Sequence, residues 1–345
     1  MLKRLVSLGF AAVAAPALLL ASGCADQSVG GSSSASGAAV AYPSKTLQIM
    51  APAAAGGGWD TTARSMQKAL QEASLLNGQS AEVRNVTGAA GTIGLAELVT
   101  SHQKDAHQLM VTGLVMVGGV VTNKSPVDLS KTTPIATLTA ESEVVVVHKD
   151  SKYTTLKQLL DDVKANPTAV KWGGGSAGGT DQILVGLLAK AAGADPKTVA
   201  KQYVAYSGGG ETKAGLLSKD VMVAVSSTSE FADLVQAGTV RALAVSSATG
   251  QDTGAGTPTP SIKESGYDLE LMNWRGVVAA PGISDAERTA IVQMVDKLHS
   301  SAQWKQTLAD KKWQDFYKSG DEAAAFFAAE STRIKGVLTE IGLGA

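Results

Sequence analysis

The chain has 345 residues, 30 basic and 31 acidic side chains, and a formal charge of −1 at pH 7. No basic block occurs, which argues against a nucleic-acid partner. Cys24 is the only cysteine, which excludes an intramolecular disulfide, and 37 glycines with 5% aromatics describe a small-residue, loop-rich protein rather than an aromatic-lined one.

The chain opens Met-Leu-Lys-Arg and continues as an apolar run from Leu5 to Leu20, then Ala21-Ser22-Gly23-Cys24. A basic start, a short apolar core and small residues before a cut describe a secretory signal peptide over residues 1–23. The run is too short and Ala-rich for a membrane span. The position of Cys24 resembles a bacterial lipobox, so a lipid on Cys24 is expected to anchor a soluble domain to the outer face of a membrane. Residues 24–41 are mostly Ser, Gly and Ala and are expected to form a flexible tether. Ordered structure is expected from Tyr42-Pro43, with about 300 residues left for two core-bearing lobes.

In chain order the apolar periodicity predicts a strand at Leu47–Met50, a helix at Thr61–Ala73 capped by Asp60 or Thr61, and a strand at Glu82–Asn85. A helix follows at Ile93–Ser101, then strands at Gln108–Thr112, Ile135–Leu138 and Val144–His148. The next predicted elements are a helix at Thr155–Ala165 capped by Thr154 or Thr155, a strand at Val170–Trp172, a helix at Gln182–Ala192 and a strand at Val199–Val204. A helix at Glu211–Leu217 and strands at Val221–Ser226 and Ala242–Ser246 come next, and Thr249–Pro260 is a loop by composition. The end is predicted helical, at Asp285–Ser300, Ala302–Lys311 and Asp321–Ile341. This alternation predicts an α/β fold with largely parallel sheets covered on both faces.

Gly-rich loops recur after strands and before helices: Pro52 to Arg64, Asn85 to Gly94, Gly173 to Asp181 and Ser207 to Thr212. In Gly56-Gly57-Gly58 the chain carries no side chains where a strand meets a helix. Bare N–H groups and the positive end of the helix dipole then suit an anion. The carboxyl edge of an open α/β sheet is where ligands bind. With two loops before residue 140 and two after 170, two donor-rich surfaces are placed to close on one small anion.

Two patterns within these loops compete with that reading. Gly173-x-Gly175-x-x-Gly178 matches a dinucleotide fingerprint, but the acidic residue expected about 20 residues on is missing, because Asp195 lies in a turn. Gly174-Gly175-Ser176-Ala177-Gly178 matches a nucleophile elbow, which would make Ser176 the nucleophile of a hydrolase with His299 as its base. His299 is predicted mid-helix, where a solvated face is the simpler assignment. The histidines His102, His107, His148 and His299 lack metal-ligand spacing, so no metal is expected. Trp304 and Trp313 are expected in the core, whereas Trp59, inside a glycine loop, could cover a ligand or wedge between lobes.

At these loops the chain resembles the periplasmic solute receptors of the tripartite tricarboxylate transporters, the Bug-type receptors. The shared features are Tyr42-Pro43, the Pro-x-x-x-Gly-Gly-Gly-x-Asp pattern at Pro52 to Asp60, Asn85 to Gly94, Tyr206-Ser207-Gly208-Gly209, Gly238 to Val245, and Trp274 to Pro281. They run in order through the chain after residue 41. Val86-Thr87 stand where the family usually carries a cation and a proline, and the Gly173–Gly179 loop is richer in glycine than usual.

The resemblance implies a two-lobed, periplasmic-binding-protein-like (type II-like) fold with a carboxylate in the cleft. One lobe would hold residues 42–141 plus 272–345 and the other residues 142–271. It implies ligand contacts from Gly57, Gly58 and Trp59, from Thr87, Gly88 and Ala90, from Ser176, Ala177 and Thr180, and from Ser207 and Gly208, with Ser227 and Thr228 as further candidates. No cofactor and no catalytic residue are implied. The expected function is capture of a di- or tricarboxylate, citrate-like, by a monomeric receptor. Its partner would be a membrane permease of one large and one small subunit, or alternatively a membrane signalling protein.

Overall fold

The computed structural model describes residues 41–344. Cys24 and the expected signal peptide and tether, as far as residue 40, lie outside the described residues.

The first strand, β1 (Leu47–Ala51), is followed by α1 (Gly58–Glu72), β2 (Ala81–Asn85), α2 (Thr92–Ser101), β3 (Gln108–Gly113) and α3 (Leu114–Thr122). β4 (Thr133–His148) leads to α4 (Leu156–Ala165), β5 (Trp172–Gly174), α5 (Thr180–Ala192), α6 (Pro196–Ala200), β6 (Tyr203–Ala205) and α7 (Gly209–Leu217). Next come β7 (Val223–Ser227), α8 (Thr228–Gln236), β8 (Val240–Val245), β9 (Gln251–Asp252) and β10 (Pro258–Thr259). The chain ends with β11 (Met272–Ala279), α9 (Asp285–Ser300), α10 (Ala302–Lys311), β12 (Gln314–Ser319) and α11 (Gly320–Glu340).

The main sheet runs β2-β1-β3-β11-β4-β7-β5-β6, with β12 and β8 also on β4. Its flanks are parallel, as the alternation predicts: β1 pairs with β2 and β3, and β5 with β6 and β7. Its centre is antiparallel, so the sheet is mixed rather than largely parallel. β4 explains this. The predicted strands Ile135–Leu138 and Val144–His148 are one strand of 16 residues. Residues 133–142 of it pair with β11, and residues 136–140 also pair with β12. Residues 143–148 pair with β7 and β8.

Side-chain alternation divides the apolar run of β4 between two cores. Val145 and Val147 join the main core, while Val144 and Val146 pack with Leu216, Phe231, Val235 and Val240. α1 buries Trp59, Ala63, Met66 and Leu70, spaced as one helical stripe. Trp304 and Trp313 are buried, as expected.

Several elements depart from the predicted ones. Val199–Val204 is not a single strand. Asp195 caps α6 by accepting from the N–H groups of Lys197 and Thr198, with Pro196 in the first turn, and only Tyr203–Ala205 is extended. α3 has glycine and β-branched residues that disfavour a helix, yet it buries Leu114, Met116 and Val117 against its neighbours, and packing overrides propensity. β12 interrupts the predicted helical end, because β4 offers it an edge. β11, read only as a motif, is a central strand.

Trp274 of β11 is 1% exposed. Its ring stacks on Phe327 at 5.3 Å and meets Phe326 edge-on at 5.1 Å, and its indole N–H donates to Glu330 Oε2 at 3.0 Å. Trp274→Ala is expected to destabilise the fold by about 3–5 kcal/mol, read as a lower urea midpoint with an unchanged slope.

Candidate functional site

Helix starts divide into two groups. α4, α6, α9 and α10 carry side-chain caps from Thr155, Asp195, Ser284 and Ser301. The helices that begin at the Gly-rich loops or pack on them carry none. Their N-cap positions are Gly57 for α1, Gly91 for α2, Gly113 for α3, Gly179 for α5, Gly208 for α7 and Ser227 for α8. α11 is also uncapped, but has Asp321 and Glu322 in its first turn. An uncapped start leaves N–H groups that need an acceptor from outside the helix.

α1 begins three residues before the predicted start, so neither Asp60 nor Thr61 is its cap. Asp60 lies in the first turn, buried. Its carboxylate accepts from Gly56 N at 2.8 Å, Arg64 Nε at 3.0 Å and Asn85 Nδ2 at 2.9 Å. Burial pushes this carboxyl up, but the bonds from Arg64, Gly56 and Asn85 outweigh it and hold the group below the usual aspartate range. Asp60 therefore fixes the loop and leaves the helix end open. Gly57 N–H is occupied by Ala54 O at 3.2 Å. The amides of Gly58 and Trp59 have no acceptor among the described residues.

The other predicted residues fall as follows. Thr87 and Gly88 are exposed and Ala90 half-buried. Gly91 at φ +87 lets the Trp59 ring pack where a Cβ would stand 2.5 Å from it. In the third loop the amides of Gly175, Gly178 and Gly179 are occupied by Asp181 Oδ2, Gln182 Oε1 and Ser176 O. Ser176 is half-buried and Ala177 exposed. Thr180 is buried, with its hydroxyl 3.4 Å from Asn273 Oδ1. Ser207 N–H is occupied by Glu211, and Tyr206 N–H on Gly174 O at 2.8 Å ties this loop to the third. Ser227 accepts from Asn273 Nδ2 at 3.3 Å and donates to Glu143 Oε1 at 3.4 Å. Thr228 opens α8, half-buried.

α3 joins the loops. A Cβ on Gly119 would sit 2.6 Å from Ala90 Cβ, and one on Gly118 would sit 1.9 Å from the Gly178 carbonyl oxygen. The loops around 57–59, 88–91 and 176–180 are thus brought together, with Ser227 reached through Asn273.

The sequence reading missed the charged residues at this junction. Glu141 and Glu143 share one face of β4, and Asn273 and Arg275 one face of β11, each two residues apart. A register shift follows Arg275, and bulges of this kind re-aim side chains. The Arg275 guanidinium pairs with Glu141 in the interior. Charged residues beside the apolar runs Val144–Val147 and Val277–Ala280 were the available signal.

Glu143 is fully buried, and its Oε2 has no hydrogen-bond partner among the described residues. Burial, then the negative charges of Asp181, Glu230 and Glu141, push its carboxyl well above the usual glutamate range, against the pull of Arg275. Burial also pushes Asp181 up.

His299 does not serve Ser176. It lies on α9, 2.9 Å from Asp315 and stacked on Tyr317 at 3.8 Å, so the hydrolase alternative loses its base. Among the described residues no group of His, Cys, Asp and Glu could hold a metal, and no helix is long and apolar enough to cross a membrane.

A carboxyl that keeps its proton better folded than unfolded costs no stability below the usual glutamate range. It becomes destabilising as pH rises through that range towards the folded value. Glu143→Gln, a neutral mimic of the protonated form, is expected to raise the melting temperature at pH 7. The gain should vanish near pH 4, about the ordinary glutamate value, and melting curves across this window would show it.

The sequence profile of the tripartite tricarboxylate transporter family receptor matches residues 62–343. A UPF0065 protein of Agrobacterium vitis is 28% identical over 261 residues, 72% of each chain. A protein of R. palustris solved with adipate superposes with a TM-score of 0.74 at 21% identity, covering 88% of this chain and 99% of that one. MatC from Rhodopseudomonas palustris, solved with malate, gives 0.70 at 19% identity, covering 86% and 100%. The fold is the two-lobed α/β fold of periplasmic solute-binding proteins, and the family is one of binding receptors rather than enzymes. The chain belongs to the tripartite tricarboxylate transporter receptor family.

Proposed function

We propose that the protein is an extracytoplasmic receptor, anchored by a lipid on Cys24, that captures a small di- or tricarboxylate. It delivers this ligand, as a monomer, to a membrane permease of one large and one small subunit. The observation that carries the reading is the open N-terminus of α1, with amides at Gly58 and Trp59 that have no acceptor among the described residues. Backbone donors at a helix N-terminus suit a carboxylate. Relatives of the same fold solved with malate and adipate support the ligand class.

In this reading residues 42–141 plus 272–345 form one lobe and residues 142–271 the other. The change of partners along β4 near residue 142 supports that division. Gly58, Trp59, Thr87, Gly88 and Ala90 would face Ser176, Ala177, Thr180, Ser207, Gly208 and Thr228 across the cleft. Ligand contacts to both lobes would favour the closed population.

A thermal-shift screen of the purified protein with malate, succinate, adipate, citrate, tartrate, glutamate and NAD tests the reading. A selective ligand at about 100 times its Kd adds about 2.7 kcal/mol to stability. A rise with one or a few carboxylates and none with NAD is expected, and a rise with NAD alone would overturn it. Closure has its own test. Gly118→Ala drives a Cβ to 1.9 Å from the Gly178 carbonyl oxygen and forces α3 and the third loop apart, so calorimetric titration should show binding weakened by roughly tenfold, ~1.4 kcal/mol, together with a lowered melting temperature of the unliganded protein.

A further inference from the structure

Arg275 is the only buried arginine or lysine among the described residues, at 5% exposure. One edge of its guanidinium is used: Nη1 donates to Glu141 Oε2, while Ser229 donates to Glu141 Oε1. Nε and Nη2 have no acceptor among the described residues. They lie against Gly58, the first residue of α1. A Cβ there would stand 2.6 Å from Nη2 and 3.1 Å from Nε, so only glycine lets the guanidinium lie on the helix start. The Trp313 ring, 5.9 Å from Cζ, limits its movement.

A second donor points to the same place. Trp59 is 8% exposed, and its indole N–H has no acceptor among the described residues. Its Nε1 lies 3.1 Å from where a Cβ on Gly113 would be, and Arg275 Cα lies 3.5 Å from that point. Helix amides, an indole N–H and half a guanidinium, none of them bonded to an acceptor among the described residues, therefore lie close together, with the Trp274 carbonyl oxygen 2.5 Å from the same Gly113 point as the neighbouring protein acceptor. A carboxylate supplies two acceptor oxygens and the charge that a guanidinium edge matches.

The same neighbourhood limits how much charge the ligand can bring. Glu141 already takes one edge of Arg275, and the carboxyls of Glu143 and Asp181, buried beside them, supply no counter-charge for a further ligand anion. Each buried anion without a counter-charge is costly.

We infer that Arg275 is the charge-selecting residue of the cleft: its free edge pairs with one carboxylate of the ligand at the N-terminus of α1. The cleft accordingly takes carboxylates of one or two charges in preference to tricarboxylates. This rests on the carboxylate-receptor reading above.

The test is calorimetric titration of malate, adipate and citrate into the wild type, Glu141→Gln, Arg275→Lys and the double variant Arg275→Gln/Glu141→Gln. The double variant removes the ion pair without leaving a lone buried charge. The wild type should bind malate or adipate at least about tenfold more tightly than citrate. Glu141→Gln frees the arginine charge and should tighten binding several-fold, an effect a merely structural pair would not produce. Arg275→Lys, which keeps the charge but not the planar edge, should weaken binding by about tenfold, and the double variant by about a hundredfold or more. Wild-type affinity in the double variant, or citrate as the tightest ligand, would overturn the inference while leaving the receptor reading intact. A wild type that binds no carboxylate would overturn both. Should the double variant not fold, Glu141→Gln and Arg275→Lys decide: unchanged affinity in both would overturn the assignment.

Discussion

The pairing of Glu141 with Arg275 in the middle of the sheet is the interaction on which the rest depends. β4 runs for 16 residues without a break, about three times the usual strand length. A strand so long passes through the junction of the two halves and places Glu141 and Glu143 on one buried face there. Neither carboxylate could be left in the interior without a partner or a proton. Arg275, on the neighbouring strand, answers the first. Burial and neighbouring acids push the second well above the usual glutamate range. β11 lies beside β4, antiparallel to it, and so brings Arg275 within reach of Glu141.

The helix starts fall into two groups, capped and uncapped. A side-chain cap contributes about 1 kcal/mol to a helix. The protein keeps this contribution at α4, α6, α9 and α10, and lacks it at the six helices that start at or beside the glycine loops. At α1 the capping side chain is not simply missing. Asp60 reaches back to Gly56 and across to Arg64 and Asn85, so the loop is held rigid while the amides of Gly58 and Trp59 remain open. Holding the donors in place beforehand lowers the ordering cost that binding would otherwise carry.

Much of this was legible in the sequence. The parallel strands β1, β2, β3 and β7, the helices α4, α9 and α10 and the positions of the four glycine loops follow from periodicity and from turn chemistry. What was not legible depended on contacts between distant residues. α3 has the composition of a strand, and only its packing makes it a helix. β11 contains Asn273 and Arg275 in an otherwise apolar run, which the period-2 pattern of the sequence does not single out as a strand. Which loop amides are free was also hidden. Gly57 looks as available as Gly58, yet the first is bonded to Ala54 and the second is not. Ser227, expected as a ligand contact, is occupied by Asn273 and Glu143.

Glycine has a second use here besides exposing amides. At Gly58, Gly113, Gly118, Gly119 and Gly178 it allows close approach: a Cβ at any of them would lie within 3 Å of a neighbouring atom. At Gly113 and Gly118 that atom is a backbone carbonyl oxygen, and such contacts tolerate little adjustment, because no side chain can change rotamer to relieve them. Where α3 meets the third loop, at Gly118, the separation is therefore set by main-chain contact. A carboxylate held between loops fixed in this way would be selected by length and by charge position rather than by apolar fit. In that setting a single buried cation with one free edge can decide which of several similar acids is held.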